Sequence, residues 1–515
     1  MSETANRILK NSGYLYFSMG LSMVVSLYST RLILNALGAS DFGIFCIIGG
    51  AIGMLGFLNA AMSTTTQRFI NYAEGEGKPE TKKSIFTVSI SIHFLLSLLM
   101  IAVFEIAYFF FFDGILNIPT ERMNSAKWIY QLMLLSTVFT IQTVPYNAII
   151  NAHENMRYMS IMGILQTLMK LAIALIVVYV CADKLVLYGV LTTLVSLIFM
   201  LILMIYCHRN YSECKFSITK YYDKNLMKEM TSFAGWGFVN SSSSMFAQYG
   251  MGIVLNSFFG TILSAAQGVA NQISGQLMVF SRTMLMAINP VIGKKAGSHE
   301  IANMMRISLF SSKMSFLVIA FFAFPFIVET PYILRLWLKN VPEWSVCFFR
   351  FEIARNMLDQ LTITLTSAIT AEGRIKYYSI YRGCSYFLPL PISILLFNFG
   401  FSPYWFYIVW IVTWNGIGSA IILYYAHKNC GMQYVDFYKV IVVPVVLITI
   451  ITLSISGLVT VYIKESFLRL IIVLCTTTII FISVCWGLVF SSKEKEIISS
   501  ATLALIREIK MKLRF

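Results

Sequence analysis

Residues 437–490 read FYKVIVVPVVLITIITLSISGLVTVYIKESFLRLIIVLCTTTIIFISVCWGLVF. Two apolar runs, 437–462 and 467–490, flank the short polar break Ile463-Lys464-Glu465-Ser466. A helix needs about 20 apolar residues to cross a bilayer core, so each run is long enough to span. Working outward with the same window gives runs at 11–37, 42–70, 84–112, 127–150, 159–181 and 186–207. A second set follows at 231–258, 261–290, 303–328, 344–371, 377–399 and 403–427. Of the 515 residues, 57% are hydrophobic and 12% charged, against about a quarter charged in ordinary soluble domains; the mean hydropathy is +0.73. The expected fold is all-α and polytopic, with about fourteen transmembrane helices.

Charge sets the orientation. The net charge is +15, which invites a nucleic-acid reading, but the basic residues sit in short loops between apolar runs and not on one folded face. With the N-terminus inside, the inner segments hold 25 of the 39 Lys and Arg and the outer ones 7. The positive-inside rule then puts both termini in the cytoplasm and favours an even helix count. Met1 to Asn11 is polar and the apolar run after it is too long for an h-region, so no cleavable signal peptide is expected. The nine cysteines follow no ligand or disulfide spacing, and Cys46, Cys181, Cys475 and Cys485 read as buried small hydrophobes. Metal-ligand spacing, a Gly-rich phosphate loop and a nucleophile motif are all missing from the sequence. An enzyme, a cofactor and a metal are therefore not expected.

The chain echoes itself. Asn151-Ala-His-Glu-Asn-Met-Arg-Tyr-Met-Ser-Ile161 resembles Thr370-Ala-Glu-Gly-Arg-Ile-Lys-Tyr-Tyr-Ser-Ile380, and Leu34-Asn35 with Gly38 recurs as Leu255-Asn256 with Gly260. Both offsets are near 220 residues and separate the copies by six helices, so the halves share orientation as parallel repeats. This predicts a six-helix lobe over 1–207, a cytoplasmic amphipathic linker over 208–230 and a second six-helix lobe over 231–427. Two additional helices over 428–490 and a basic amphipathic tail over 491–515 complete the chain. In the linker Lys220, Lys224 and Lys228 oppose Tyr222, Leu226 and Met230; in the tail Ile498, Leu505, Ile509 and Leu513 are backed by Lys510, Lys512 and Arg514. Such faces lie on anionic headgroups, with partner binding as the alternative use.

Charges within the spans are the candidate site. An ionisable residue at mid-bilayer costs several kcal/mol on insertion scales, about 2.5–3.5 for a base, and usually faces a bundle interior or a cavity. Arg31, Arg68, Lys170, Arg282, Lys313, Arg350 and Arg355 are the basic ones. Arg68 lies near a helix end, where snorkelling accounts for it. The acids are fewer: Glu105, Glu352 and Asp359. Glu352, Arg355 and Asp359 share a helix face by their spacing, either as a self-neutralising triad or as a switchable pair for a coupling ion. The surplus of bases suits an anionic ligand such as a diphosphate. Alanine at Lys170, Lys313 or Arg355 is expected to block function with membrane levels intact. Gly49, Gly50, Gly53 and Gly56, with Pro145, Pro325, Pro389 and Pro391, are candidate hinges or close-packing points.

Arg31-Leu-Ile-Leu-Asn-Ala-Leu-Gly38 with Asp41-Phe-Gly43-Ile, and Phe233-Ala-Gly-Trp236 with Phe259-Gly260, Ala270-Asn-Gln-Ile273 and Pro290, resemble the polysaccharide flippases. These are the Wzx-type carriers (O-antigen or lipid-linked oligosaccharide) of the MOP, or MATE-like, exporter superfamily, and the resemblance covers essentially the whole chain. It implies two six-helix lobes around a cationic central cavity. It further implies alternating access that moves an undecaprenyl-diphosphate-linked oligosaccharide outward across a bacterial inner membrane, for O-antigen or capsule assembly. The implied partners are that lipid-linked oligosaccharide, a bilayer with anionic headgroups and polysaccharide polymerase or assembly proteins. The resemblance carries no residue roles over; the intramembrane charges themselves make Arg31, Lys170, Arg282, Lys313, Arg350 and Arg355 the candidate substrate cations, and Glu105, Glu352 and Asp359 the candidate coupling acids. A MATE-type multidrug antiporter would want an acid-lined lobe, and the first lobe offers Glu105 alone. A membrane polysaccharide polymerase would want a large outer loop, and the largest here, 113–126 and 329–343, are short.

Overall fold

A computed structural model describes residues 2–54, 56–112, 119–180, 183–215, 217–337, 341, 343–492, 494–496 and 499. Among the described residues the chain is helical with short connections and contains no strand. Nine helical stretches among them are long and apolar enough to cross a membrane: Glu80–Phe110, Thr120–Ala152, Met156–Tyr179, Lys184–Asn210, Ile301–Val328, Lys376–Asn398, Trp405–Cys430, Tyr434–Tyr462 and Phe467–Val489. Each overlaps a predicted run. The other five predicted runs lie in the helices Ser2–Met54, Gly56–Glu76, Lys224–Gly297, Ser345–Gln360 and Ile363–Glu372, which are longer, shorter or more polar. The protein is an all-α, multi-pass membrane protein.

The chain divides into two compact units, one Gly13–Ser241 and the other from Ser242 onward together with the first turns up to Ser12. The division falls inside the helix Lys224–Gly297, later than the predicted linker. That linker is also not one amphipathic helix. A short turn, Ile218–Tyr221, ends at an extended Tyr222, and Asp223 then caps a new helix by accepting from the Asn225 backbone N–H at 2.8 Å. Lys220 is therefore out of register with Lys224 and Lys228, because Asp competes for backbone donors and starts helices rather than continuing them. The hydrophobic stripe predicted for the tail lies outside the described residues.

Breaks within the predicted spans have local causes. Ser2–Met54 bends at Gly38, whose φ of 77° and ψ of 169° fall in a region that only glycine enters without strain. Gly38→Ala is expected to cost about 1–3 kcal/mol. Gly20→Ala, in an open position of the same helix, should be neutral or stabilising by about 0.5–1 kcal/mol. Thermal unfolding of the two detergent-solubilised variants compares them, and equal effects would remove the conformational argument. The 127–150 run breaks at Thr143 before Pro145, and the 344–371 run breaks at Leu361 and Thr362. Pro389 sits at the first turn of Pro389–Asn398, where its missing N–H costs nothing. Pro325, by contrast, lies inside Ile301–Val328 without ending it.

The repeat read from sequence has a backbone counterpart. Glu154 at φ 55° and Gly373 at φ 106° occupy aligned positions of the two echoing stretches, 219 residues apart. Gly77 at φ 70° and His299 at φ 57° are 222 apart, and Thr143 and Thr362 mark equivalent helix breaks, again 219 apart. Side chains at these turns have diverged; the sign of φ has not. Gly38 and Gly260 differ, since helix continues through residue 260.

In the first unit Met123–Gln142 packs closely on Lys184–Asn210. A Cβ at Gly189 would come within 2.4 Å of Ile129 Cδ1. Thr193 Oγ1 donates to the Leu132 carbonyl at 2.9 Å, and Ser136 and Ser196 hydroxyls meet at 2.7 Å. Small and hydroxyl residues allow this approach where no hydrophobic driving force exists. Ile48, Ile129 and Tyr130 are fully buried in the same apolar cluster.

An ion cluster ties three connections at one end of this unit. Arg122 Nε donates to Asp41 Oδ1 at 2.8 Å, and Nη2 reaches both Asp41 and, at 3.0 Å, Asp183 Oδ1. Ser125 Oγ donates to Asp183 Oδ2 at 2.6 Å, while Asp183 Oδ1 caps the Lys184–Asn210 helix. Burial by itself would raise the Asp183 pKa, but hydrogen bonds from Ser125 and Arg122 outweigh it and hold the carboxyl below its ordinary value. A depressed folded pKa means stabilisation that is present above the unfolded value, about 3.9, and is lost as pH falls through the folded one. Thermal unfolding should therefore lose a small increment below about pH 4. Asp183→Asn should remove that increment and lower stability at neutral pH, and an unchanged acid limb would contradict the assignment.

Candidate functional site

The second unit gathers a buried charged network on the helix Ser345–Gln360. Arg355 Nη2 donates to Glu352 Oε1 at 2.6 Å and Nε to Glu352 Oε2 at 3.0 Å, a bidentate pair across three residues of one helix. The acceptor and donor are 3% and 7% exposed. Nη1 reaches Asp359 Oδ2 at 3.4 Å and Nη2 reaches Asn356 Oδ1 at 3.1 Å. The guanidinium also lies over Trp410 at 4.6 Å and Trp414 at 5.7 Å, contacts that favour a cation electrostatically.

Polar partners come from neighbouring elements. Ser274 Oγ donates to Glu352 Oε1 at 3.2 Å and also meets Asn356. Asn415 Nδ2 donates to Asp359 Oδ1 at 2.8 Å and to the Arg355 carbonyl at 3.2 Å. Asn415 lies in a π-helical segment, Ile411–Ile417, that interrupts Trp405–Cys430; such bulges re-aim side chains and concentrate at functional positions. Next to it, a Cβ at Gly418 would fall 1.3 Å from Arg382 Nη1, which donates to the Trp414 carbonyl at 2.8 Å. Only glycine leaves that guanidinium its place. A second polar group follows one turn on, where Ser281 and Ser315 donate to Gln360 and Ser312 meets Thr364 Oγ1 at 2.6 Å.

The remaining sequence candidates fall into distinct environments. Lys313 is buried and its Nζ donates to Glu494 Oε1 at 2.6 Å, so it is neutralised by the segment after the last span. Arg350 is exposed and its Nε donates to the Ile327 carbonyl at 3.0 Å. Lys170 and Arg282 are exposed, and none of these three has a carboxylate within ion-pair distance among the described residues. Arg31's side chain lies outside the described residues. Glu105 is half-buried in Pro79–Phe110 and accepts from Gln131 Nε2 at 3.4 Å. The structure thus brings Glu352, Arg355 and Asp359 together. It does not bring Lys313 to them.

Several partners escaped sequence reasoning. Asn356, Asn415, Ser274 and the Trp410–Trp414 pair carry no charge and sit in runs that read as ordinary apolar spans. Arg469, read as an outer-loop base, is buried and pairs with fully buried Glu329 through Nη2 at 2.8 Å and Nε at 2.8 Å. The signal was available: Arg469 lies two residues inside a predicted span.

The fold is shared with solved transporter structures. A MATE mutant crystal structure aligns with a TM-score of 0.72 at 14% identity, covering 82% of this chain and 96% of that one. The outward-facing form of a multidrug resistance MATE family transporter of the MOP superfamily aligns at 0.71 and 13%, covering 82% and 96%. A MOP-superfamily transporter from Pyrococcus furiosus, described by a binding pocket of reverse polarity, aligns at 0.69 and 14%, covering 83% and 97%. These likenesses establish the fold. Comparison with curated proteins gave no match. The polysaccharide biosynthesis protein family matches residues 8–296, more than half of the chain, and the protein belongs to that family.

Proposed function

We propose that the protein is a carrier, not an enzyme, that moves a lipid-linked anionic oligosaccharide across a bacterial cytoplasmic membrane, with both termini in the cytoplasm. Undecaprenyl-diphosphate-linked glycan for O-antigen or capsule assembly is the cargo class, carried by alternating exposure of the binding surface. The observation that carries the reading is the set of exposed bases within apolar spans, Lys170, Arg282 and Arg350, which no described carboxylate neutralises. A base kept unpaired in a span is expensive and marks a ligand path, and a diphosphate offers the oxygens that Arg and Lys donors fit. Membership of a polysaccharide biosynthesis family supports a glycan as the cargo.

The runner-up is a multidrug antiporter with cationic cargo. It would use acids left available for a cation. Here Glu352 and Asp359 are both engaged by Arg355, which leaves Glu105 to carry that role. The discriminating experiment is deletion in the native host. Loss of surface glycan restored by the wild-type gene supports the proposal, and unchanged glycan with new drug sensitivity would replace it by efflux. Ion coupling through Glu352 and Asp359 belongs to the same proposal. Flipping that ignores both H⁺ and Na⁺ gradients would remove it.

A further inference from the structure

Away from the spans of the first unit, three ligand-bearing side chains meet at segments far apart in sequence. Glu74 lies in the last turn of Gly56–Glu76, His153 caps Val144–Ala152, and Glu213 sits in the loop after Lys184–Asn210. One ligand atom from each lies within 4.8 Å of the other two. His153 Nε2 is 2.5 Å from Glu213 Oε1, and its Nδ1 is 3.9 Å from Glu74 Oε1. The imidazole stacks on Tyr211 with centroids 4.5 Å apart and planes 12° apart, which fixes the ring orientation. The Glu213 side chain is 7% exposed and, among the described residues, has no Lys or Arg within ion-pair distance. Burying a carboxylate without a fixed cation is costly. Lys82 is committed instead to Glu74, at 2.7 Å from its Oε2.

The internal repeat supplies a control. Gly373, like Glu154, has a positive φ, and the residue before it, Glu372, occupies the position of His153. Glu372 pairs with Arg374 at 2.5 Å, so a glutamate holds the position that the histidine takes in the first copy. The turn is therefore built in the second unit without a histidine and two glutamates, so turn geometry does not explain why they converge in the first. One imidazole and two carboxylates form a donor set suited to zinc or manganese, with ligand distances of about 2.0–2.2 Å and an open coordination position. The carboxylates of Glu213 and Glu74 face opposite ring nitrogens, so one of them must swing to the nitrogen that takes the metal, starting from atoms within 4.8 Å of one another.

We propose that Glu74, His153 and Glu213 form a divalent transition-metal site, of the zinc or manganese class, that staples the ends of three helical segments. Binding would place a cation in direct contact with the buried Glu213, where Lys82 now acts only from a distance. It would also compete with Lys82 for Glu74. The site stands apart from the transport reading and does not depend on the cargo.

Full-length protein purified in detergent, stripped with EDTA and titrated with ZnCl₂ or MnCl₂ tests the proposal by calorimetry and thermal unfolding. One saturable site per chain and a metal-dependent rise in Tm are expected. Both should be lost in His153→Ala and Glu213→Gln, and Lys82→Ala should tighten binding. Glu74 is half-buried, so Glu74→Gln keeps the test sound if a more buried variant fails to fold. No saturable binding, or equal binding in wild type and variants, overturns the site. Stabilisation that follows pH through His153 while ignoring metal also overturns it, and would mark a proton-linked His–Glu clasp.

Discussion

Arg355→Ala is expected to destabilise the protein by about 3–5 kcal/mol, the cost of leaving a buried ion partner uncompensated. Glu352 is 3% exposed and would be left beside Ser274 and Asn356 with no guanidinium opposite. Asp359 would keep only its Asn415 contact. The loss of the aromatic contacts to Trp410 and Trp414 adds to this in the same direction. Thermal unfolding in detergent and the amount of protein in membranes both read the effect. The double variant Glu352→Gln/Arg355→Met should recover most of it, because replacing both members of a buried pair is often neutral. A single Arg355→Ala variant as stable and abundant as wild type would show that the pair is not structural. The structure thus revises the expectation that alanine at Arg355 leaves membrane levels intact. The same holds for Lys313, which is buried against Glu494.

The cleaner functional test uses the exposed bases. A triple Lys170→Ala/Arg282→Ala/Arg350→Ala variant should fold, since no buried ion pair is broken and only the Arg350 bond to the Ile327 carbonyl is lost. Hydrogen bonds to charged groups contribute about 1.5–3 kcal/mol each. Losing even two from a bound diphosphate would weaken binding by about a hundredfold to ten-thousandfold. Surface glycan in the native host should fall to the level of the deletion strain while membrane abundance stays near wild type. Full glycan in the triple variant would sink the cationic-path reading.

Much of this was legible in the sequence because bilayer physics acts on composition. The apolar runs, the Glu352–Arg355–Asp359 face and the near-220 repeat all follow from residue type and spacing; nine of the runs appear as candidate spans among the described residues, the face appears as contacts, and the repeat appears at Glu154 and Gly373 but not at Gly38 and Gly260. The repeat gained most: Glu154 and Gly373 share a positive φ although one is charged and the other has no side chain. What stayed hidden depends on long-range approach. Nothing local to Lys313 announces Glu494, 181 residues later, and neither Glu74 nor Glu213 is near His153 in sequence. Helix interruptions were half visible. Proline marked the breaks before Val144–Ala152 and Pro389–Asn398, whereas the π segment at Ile411–Ile417 has no compositional signature.

The central claim is that the cargo is anionic through its diphosphate. Purified protein in liposomes, offered a diphosphate-linked polyprenyl oligosaccharide in one leaflet, measures this by accessibility of the sugar to an added membrane-impermeant reagent. The account predicts transfer of the diphosphate-linked lipid and little transfer of an uncharged glycolipid with the same sugar. It also predicts loss of transfer in the triple variant. Equal transfer of the charged and uncharged lipids, or transport of a cationic dye in place of either, would contradict it.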